Sequence, residues 1–492
     1  MQLKDAELSA LHNGTTGVCY PRIICAEITD NFGHAVPKDL LSLGIVSRIF
    51  LEPALDAMWK RLTSIEPLLS VLPETTLVNR RKLFLEPVAP SSWDRLRFYT
   101  SRVREFIAPF QYEELNVHDS VYECLGQKKP IFPKLRTLHL SLRLCDSNTF
   151  MFFLTTSLRV VSWPHPSLGS LPDSSSDLGP SLALLVSKSP ELKSLGLNKY
   201  HYSGLSLTLR HLVDLEYFSA MDLSHLEVDF VQVIALLPKL THLDLALPEE
   251  AFLDYTGVES GFPSLTKIEL CGSTSDTRKF LAVIRPQALQ ELVIELSFKP
   301  STEQSITAIT YLLPSFPFLR SLVIVGDALS KLPVDLDDLQ LWLLFEPLLE
   351  LKRLEYLGYN IDLPVSDQKT ARIASAWPHL KDLHLYLARG SSSLECLAHF
   401  ARHCPNLESL NYSIQLWVPA TPTPVIQDHP TLSMHPLRSF WCNVETDMMT
   451  ADTMAHGLHQ MFPNLEVVDG RGDGWTQVQK ILWSLQNRRF EE

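Results

Sequence analysis

One eight-residue phrase recurs along the chain and restricts its fold more than any other feature: a Pro, then x-Leu-x-x-Leu-x-Leu. Its clearest copies are Pro133–Leu140, Pro190–Leu197 and Pro238–Leu245. Pro263–Leu270, Pro317–Ile324, Pro378–Leu385 and Pro405–Tyr412 follow the same pattern. Weaker copies start at Ser101, Thr156, Val213, Gln287, Lys352, His435 and Pro463, which spaces the starts about 28 residues apart. The closing Leu-x-Leu alternates with period two, as a short strand with one buried face requires. Between phrases lie amphipathic stretches. In one, Phe230, Val233, Ile234 and Leu237 fall at i, i+3, i+4 and i+7, one face of a helix. Pro238 then stops the helix, because proline cannot donate to the helical ladder.

Strand, helix, proline and strand again make one coil, and a coil cannot bury its apolar edge alone, so coils stack. The period and the phrase are those of leucine-rich repeats. The expected fold class is therefore α/β, a leucine-rich-repeat solenoid with parallel strands on the concave side and helices on the convex side. A length of 492 residues suits such an array better than one globular core, which stops growing at roughly 250–300 residues. The solenoid is expected over 101–474. Loop-like insertions rich in Pro, Ser and Gly interrupt it at 162–181 and 417–436, and a capping helix covers 475–492.

The front of the chain reads differently. After a flexible 1–20, residues 21–62 form a small helical module, followed by linking helices over 63–100. Segments Ile23–Phe32, Asp39–Phe50 and Glu52–Leu62 give three short helices, the last with Pro53 acceptably placed in its first turn. So few residues make a core of little stability by themselves, and exposed Leu, Phe and Trp there call for a partner.

Composition excludes several function classes. A net charge of −13 argues against general affinity for nucleic acid or anionic membranes. No stretch of about 18 apolar residues suggests a spanning helix, and Met1–Asp5 opens without an apolar signal core. The eight cysteines stand singly with no C-x-x-C pair, as reduced thiols do in the cytoplasm or nucleus. His399, His403 and Cys404 share a helical turn, yet Cys404-Pro405-Asn406-Leu407 occupies the slot where other coils close a helix and start a strand, so packing is favoured over metal binding. Arg471-Gly472-Asp473 reads as a glycine turn. No phosphate loop, G-x-G-x-x-G or nucleophile signature is present, so the sequence points to binding rather than catalysis, with no cofactor and no metal.

Asp39-Leu40-Leu41-Ser42-Leu43, Val46-Ser47-Arg48-Ile49-Phe50 and Leu55…Trp59-Lys60-Arg61-Leu62 resemble the second half of an F-box. Tyr20-Pro21-Arg22-Ile23-Ile24 stands where that family opens with Leu-Pro-x-Glu-Ile. With Ser92–Tyr99 and the repeats, the chain resembles F-box/leucine-rich-repeat proteins, in wording close to the large set of mushroom-forming fungi. The resemblance implies a non-catalytic substrate receptor of a cullin-based ubiquitin ligase, an SCF complex. Its F-box would bind a Skp-type adaptor through Pro21, Ile24, Leu40, Leu41, Val46, Ser47, Phe50 and Trp59, while the repeats hold a target protein. The other reading left open is a free-standing repeat scaffold whose F-box no longer engages a ligase.

Target-binding candidates follow from strand alternation: residues beside the inward leucines face the concave side. They are His242, Asp244, Lys267, Glu269, Glu291, Glu295, Tyr356, Asp382, His384, Tyr386 and Trp441. Acids outnumber bases there and are interleaved with aromatics, which suits a basic or mixed target segment.

Overall fold

The computed structural model describes residues 37–78, 81–84, 87–108, 117–126, 131–140, 150–163, 177–198, 201–221, 226–247, 258, 261–296, 303–326, 337–360, 363–385, 389–390, 392–412, 414, 435–442 and 451–488. The chain forms two compact units, Met1–Ser224 and His225–Glu492.

Unit 1 opens with helices α1 (Pro37–Val46) and α2 (Arg48–Lys60), which pair around Leu40 and Ala54 with Phe50, Ala57 and Met58 packed against them. Strand β1 (Arg61–Leu62) and helix α3 (Glu66–Leu69) follow, then an antiparallel hairpin of β2 (Thr75–Val78) and β3 (Arg81–Phe84), then α4 (Pro90–Thr100). Repeats then alternate: β4 (Glu105–Ile107), α5 (Asp119–Gly126), β5 (Thr137–His139), β6 (Val160–Ser162), α6 (Gly179–Lys188), β7 (Ser194–Asn198), α7 (Leu205–Leu209) and β8 (Tyr217–Met221). All pairings along β1-β4-β5-β6-β7-β8 are parallel.

The parallel sheet thus starts at 61 rather than 101. Arg61 pairs with Glu105 and Leu62 with Phe106, and Leu62, Ile65, Leu68 and Leu69 are buried in the core. Where the sequence suggested only linking helices over 63–100, the hairpin β2–β3 lies between two of them. Such a hairpin has no apolar phrase of the repeat kind, so the periodicity passed over it.

Unit 2 contains α8 (Phe230–Ala235), β9 (His242–Ala246), β10 (Lys267–Gly272), α9 (Thr274–Val283), β11 (Glu291–Leu296), α10 (Glu303–Leu312), β12 (Ser321–Val325), α11 (Asp338–Phe345) and β13 (Tyr356–Tyr359). It continues with β14 (Pro364–Val365), α12 (Asp367–Ala376), β15 (Asp382–Leu385), β16 (Arg389–Gly390), α13 (Leu397–His403), β17 (Ser409–Asn411), β18 (Ser439–Cys442), α14 (Ala451–Met461), β19 (Val467–Gly470) and α15 (Gly474–Arg488). From β9 to β19 the sheet is parallel throughout, with β14 and β16 forming a separate short pair. Both units are α/β leucine-rich-repeat arrays.

The phrase explains the register. Its central leucines form one unbroken buried row in unit 2, in which Leu243, Ile268, Leu292, Leu322 and Leu357 lie side by side across successive strands. A one-residue slip would turn that whole row to water. The leading proline has a second role beyond ending the helix. In Phe316-Pro317-Phe318-Leu319, the Leu319 N–H donates to the Phe316 carbonyl at 3.2 Å, and Cys404–Leu407 and Trp377–Leu380 repeat this i to i+3 bond at 3.1 and 3.2 Å. Proline sits at the second position of each turn, where its fixed φ is preset. The turn aims the first leucine of the phrase inward, and Leu319, Leu380 and Leu407 are accordingly buried.

The last strand would be a bare edge, open to pairing with another chain. Helix α15 covers it: Gln479 accepts the Val468 N–H at 2.5 Å and donates to the Glu466 carbonyl at 3.1 Å, while Trp475, Val478 and Leu482 are buried. Gly472, at φ +90°, makes the turn between β19 and α15. Cys404 is fully buried and its thiol contacts the carbonyls of Ala374 and Trp377 at 3.4 and 3.5 Å. Burial pushes that thiol up to about 12, so it packs rather than reacts at neutral pH. Among the described residues no helix is long and apolar enough to cross a membrane.

Candidate binding surfaces

Strand alternation places the residues of unit 2 that point away from the buried leucine row in rows that the register fixes, and of these Gly358 and Asn411 are themselves buried. One row runs His242, Lys267, Glu291, Ser321, Tyr356, Asp382 and Ser409 on successive strands. The next runs Asp244, Glu269, Val293, Val323, Gly358, His384, Asn411 and Trp441. A third begins Ala246, Cys271, Glu295 and Val325. All the described sequence-derived target candidates therefore share one face of the sheet, opposite the buried leucine row; Tyr386 lies outside the described residues.

The face divides into three chemically different parts. Asp244, Glu269, Glu291 and Glu295 make its first strands acidic. Lys267 sits among them, 2.9 Å from Glu269 and 3.7 Å from Glu291, and the Glu269 hydrogen bond holds its ammonium above the ordinary lysine range. One cation is thus committed to its own neighbours. In the middle, Val293, Val323 and Gly358 leave a shallow apolar strip. The two valines carry neither charge nor ring and so do not stand out in the sequence, although the same alternation points both to this face.

The third part is aromatic. Tyr356 and His384 rings lie 5.7 Å apart, and the Tyr356 ring leans over Gly358, where an added Cβ would lie 3.5 Å from Tyr356 Cε1. Burial lowers the His384 pKa against the opposing pull of Asp382. Burial likewise raises Asp382, with His384 opposing and Glu408 adding to it. Trp441 is half-buried farther along the second row. Among the described residues no group of His, Cys, Asp and Glu is placed to hold a metal.

The front helices of unit 1 carry the second surface. Leu40, placed on the adaptor-facing set by the sequence, is 1% exposed and turned into the α1–α2 core. The core is made across the two helices, with Leu40 against Ala54, and a helix pair this small has few other apolar side chains to build it from. Phe50 is partly buried against the same core. Trp59 is half-buried, its ring 4.6 Å from that of Tyr99. Leu41 and Val46 are 50% and 82% exposed, and Ser47 precedes the first residue of α2. Ile45 at 75% and Ile49 at 66% extend this exposed apolar surface, although neither is among the adaptor-binding positions that the F-box resemblance supplies. Pro21 and Ile24 lie outside the described residues.

No family model matches the chain. Nor does any curated protein match it. Among solved structures it is similar to a leucine-rich-repeat protein of Leptospira interrogans, at 14% identity over 72% of this chain and 89% of that one, with a TM-score of 0.35. It is similar to the leucine-rich-repeat-containing protein LegL7 from Legionella pneumophila, at 12% identity over 70% and 94% of the two chains and a TM-score of 0.31. A chain in the complex of Rad7 and Elc1 from yeast is similar at 14% identity over 78% and 89%, with a TM-score of 0.34.

Proposed function

We propose that the chain is the substrate-recognition subunit of a cullin-based ubiquitin ligase of the SCF kind. In this reading α1 and α2 dock a Skp-type adaptor, and the sheet face of unit 2 opposite the buried leucine row holds a target protein. The chain itself is not an enzyme, uses no cofactor, and works in the cytoplasm or nucleus.

The observation that carries the reading is the run of exposed aliphatics Leu41, Ile45, Val46 and Ile49 on a helix pair whose sequence resembles an F-box. Four large apolar side chains left in water on one small unit mark a docking surface. The acidic and aromatic face of unit 2 supports the second half of the reading, because it joins oriented charge to rings that bury well against a peptide. Isothermal titration of the full chain with a purified Skp-type adaptor tests the proposal. Saturable one-to-one binding supports it; no heat and no co-migration on gel filtration leave the chain a free-standing scaffold.

A further inference from the structure

Unit 1 carries a column of like charges at one register position. The residue immediately before each strand is Lys60, Arg104, Arg136, Arg159 and Lys193 in turn. Their backbones are hydrogen-bonded in sequence: the Arg104 N–H donates to Lys60 at 2.8 Å, Arg136 to Arg104 at 2.7 Å, Arg159 to Arg136 at 2.8 Å and Lys193 to Arg159 at 2.8 Å. Neighbouring strands are about 4.8 Å apart, so the five cations line roughly 19 Å of the strand-start rim. Glu216 ends the column.

The repeat does not require this. At the same position in unit 2 the residues are Thr241, Thr266 and Gln290, and then the signs alternate. There Glu355 pairs with Arg320 at 3.0 Å and with Lys381 at 2.8 Å, and Arg438 pairs with Glu466 at 3.7 Å. Alternation neutralises the rim of unit 2, whereas like charges side by side on adjacent strands are destabilising. In unit 1 the compensation is partial. Glu191 pairs with Arg159, and Glu216 with Lys193 at 2.6 Å. Arg104 and Arg159 turn guanidinium N–H groups onto main-chain carbonyls, those of Ser101 and Val103 in the first case and Thr156 and Leu158 in the second, which fixes the side chains without cancelling charge. Among the described residues Lys60 and Arg136 make no ion pair, and both are exposed. Burial first, and then the charge of Arg136, lowers the Arg104 pKa, with Asp56 opposing.

We infer that this rim is a binding site for an extended acidic peptide segment. The column's length matches about six residues of extended chain at roughly 3.3–3.6 Å each. Carboxylates on alternate residues then meet cations whose long side chains reach along the rim. The described rows beside the column hold Thr137, Val160, Ser194 and Tyr217, then Ile107, His139, Ser162 and Gly196. One tyrosine and one histidine on different strands are a sparse platform for successive bases, so a nucleic acid fits less well. The chain's net charge of −13 also repels a long polyanion, while a short segment feels mainly the local field. This site is separate from the acidic face of unit 2 and does not depend on ligase membership.

Fluorescence anisotropy of the full chain with a labelled short peptide alternating Glu and Ser tests the inference. Binding is expected, weakening steeply as salt rises, while the Lys–Ser counterpart binds unit 2 or nothing. The double variant Arg136→Gln/Lys193→Gln should weaken the acidic peptide by about twofold or more at unchanged melting temperature, as expected for the loss of two exposed charge contacts. Glu216→Gln, which frees Lys193, should tighten it. Failure of the Glu–Ser peptide to bind, indifference to both variants, or tighter binding of single-stranded DNA of equal charge would each overturn the site.

Discussion

Replacing Val46 and Ile49 together by aspartate should remove adaptor binding while leaving the chain folded. Full burial of a Val or Ile side chain contributes about 1.5–3 kcal/mol. With 82% and 66% of these residues exposed, a partner covering both recovers most of that. The pair is therefore worth roughly 2–4 kcal/mol, a factor of about 30 to 1,000 in Kd. An unpaired carboxylate in the interface adds its desolvation cost to that loss. Folding is insulated by geometry, because the helix pair is held by Leu40 and Ala54, 1% and 2% exposed, on its other side. The helix dipoles nearly cancel as well. Aspartate at the C-terminus of α1 is disfavoured by about 0.3–1 kcal/mol, and aspartate in the first turn of α2 is favoured by a similar amount. Isothermal titration with the purified adaptor gives the Kd, and circular dichroism melting gives the control. A Kd within twofold of wild type, at unchanged melting, would refute the docking face. Leu40→Ala is the contrasting variant: it should loosen the helix pair itself, at a cost of about 2–5 kcal/mol, and be seen first in the melt.

Four further outcomes are expected. Reversing Asp244, Glu269, Glu291 and Glu295 to Lys should abolish capture of a basic target in pull-downs, leave adaptor titration unchanged, and leave Lys267 without its Glu269 and Glu291 partners; equal capture would move the target site off this face. Deleting residues 1–70 removes β1 and the buried Leu62, Ile65, Leu68 and Leu69, so unit 1 should lose amide protection in hydrogen exchange, whereas deleting 1–47 should spare it. Thr370→Val removes the 2.6 Å partner of the fully buried Tyr412 hydroxyl and leaves it Ser392, which should destabilise unit 2 by about 1 kcal/mol in urea unfolding. Thr370→Val with Ser392→Ala should cost about 1–3 kcal/mol, and Tyr412→Phe added to that pair should recover part of the loss. Asp177 works against burial, which pushes its carboxyl up, yet bonds from the Ser203 side chain and from the Ser203 and Gly179 N–H groups, with His201 nearby, bring it down to about 2. Its folded pKa lies below the unfolded value, so its contribution is full above about pH 4 and fades as pH falls through 2. The stability gap between wild type and Asp177→Ala should accordingly close over that window.

Much of this protein is local information repeated. The Pro-x-Leu-x-x-Leu-x-Leu phrase determines, coil by coil, where a helix ends, where a turn aims a leucine inward and which strand residues face solvent. Alternation has only two outcomes per residue, so His242, Asp244, Lys267, Glu269, Glu291 and Glu295 could be assigned to one face without knowing which strand neighbours which. Register is different, because it is a relation between residues about 28 apart that no local pattern states. Only the folded sheet sets Tyr356 beside His384, inserts the Val293–Val323 strip between acid and ring, and stacks Lys60, Arg104, Arg136, Arg159 and Lys193 into one rim. The same holds for the front helices. Leu40 and Leu41 are adjacent in sequence and chemically alike, and nothing local tells them apart. One became core and the other surface because α2 packs against a single side of α1, a choice made by tertiary contact with Ala54 and Phe50. The first strand escaped the periodicity for the same reason: Arg61–Leu62 is too short to show a pattern, and it is a strand because β4 is there to pair with it.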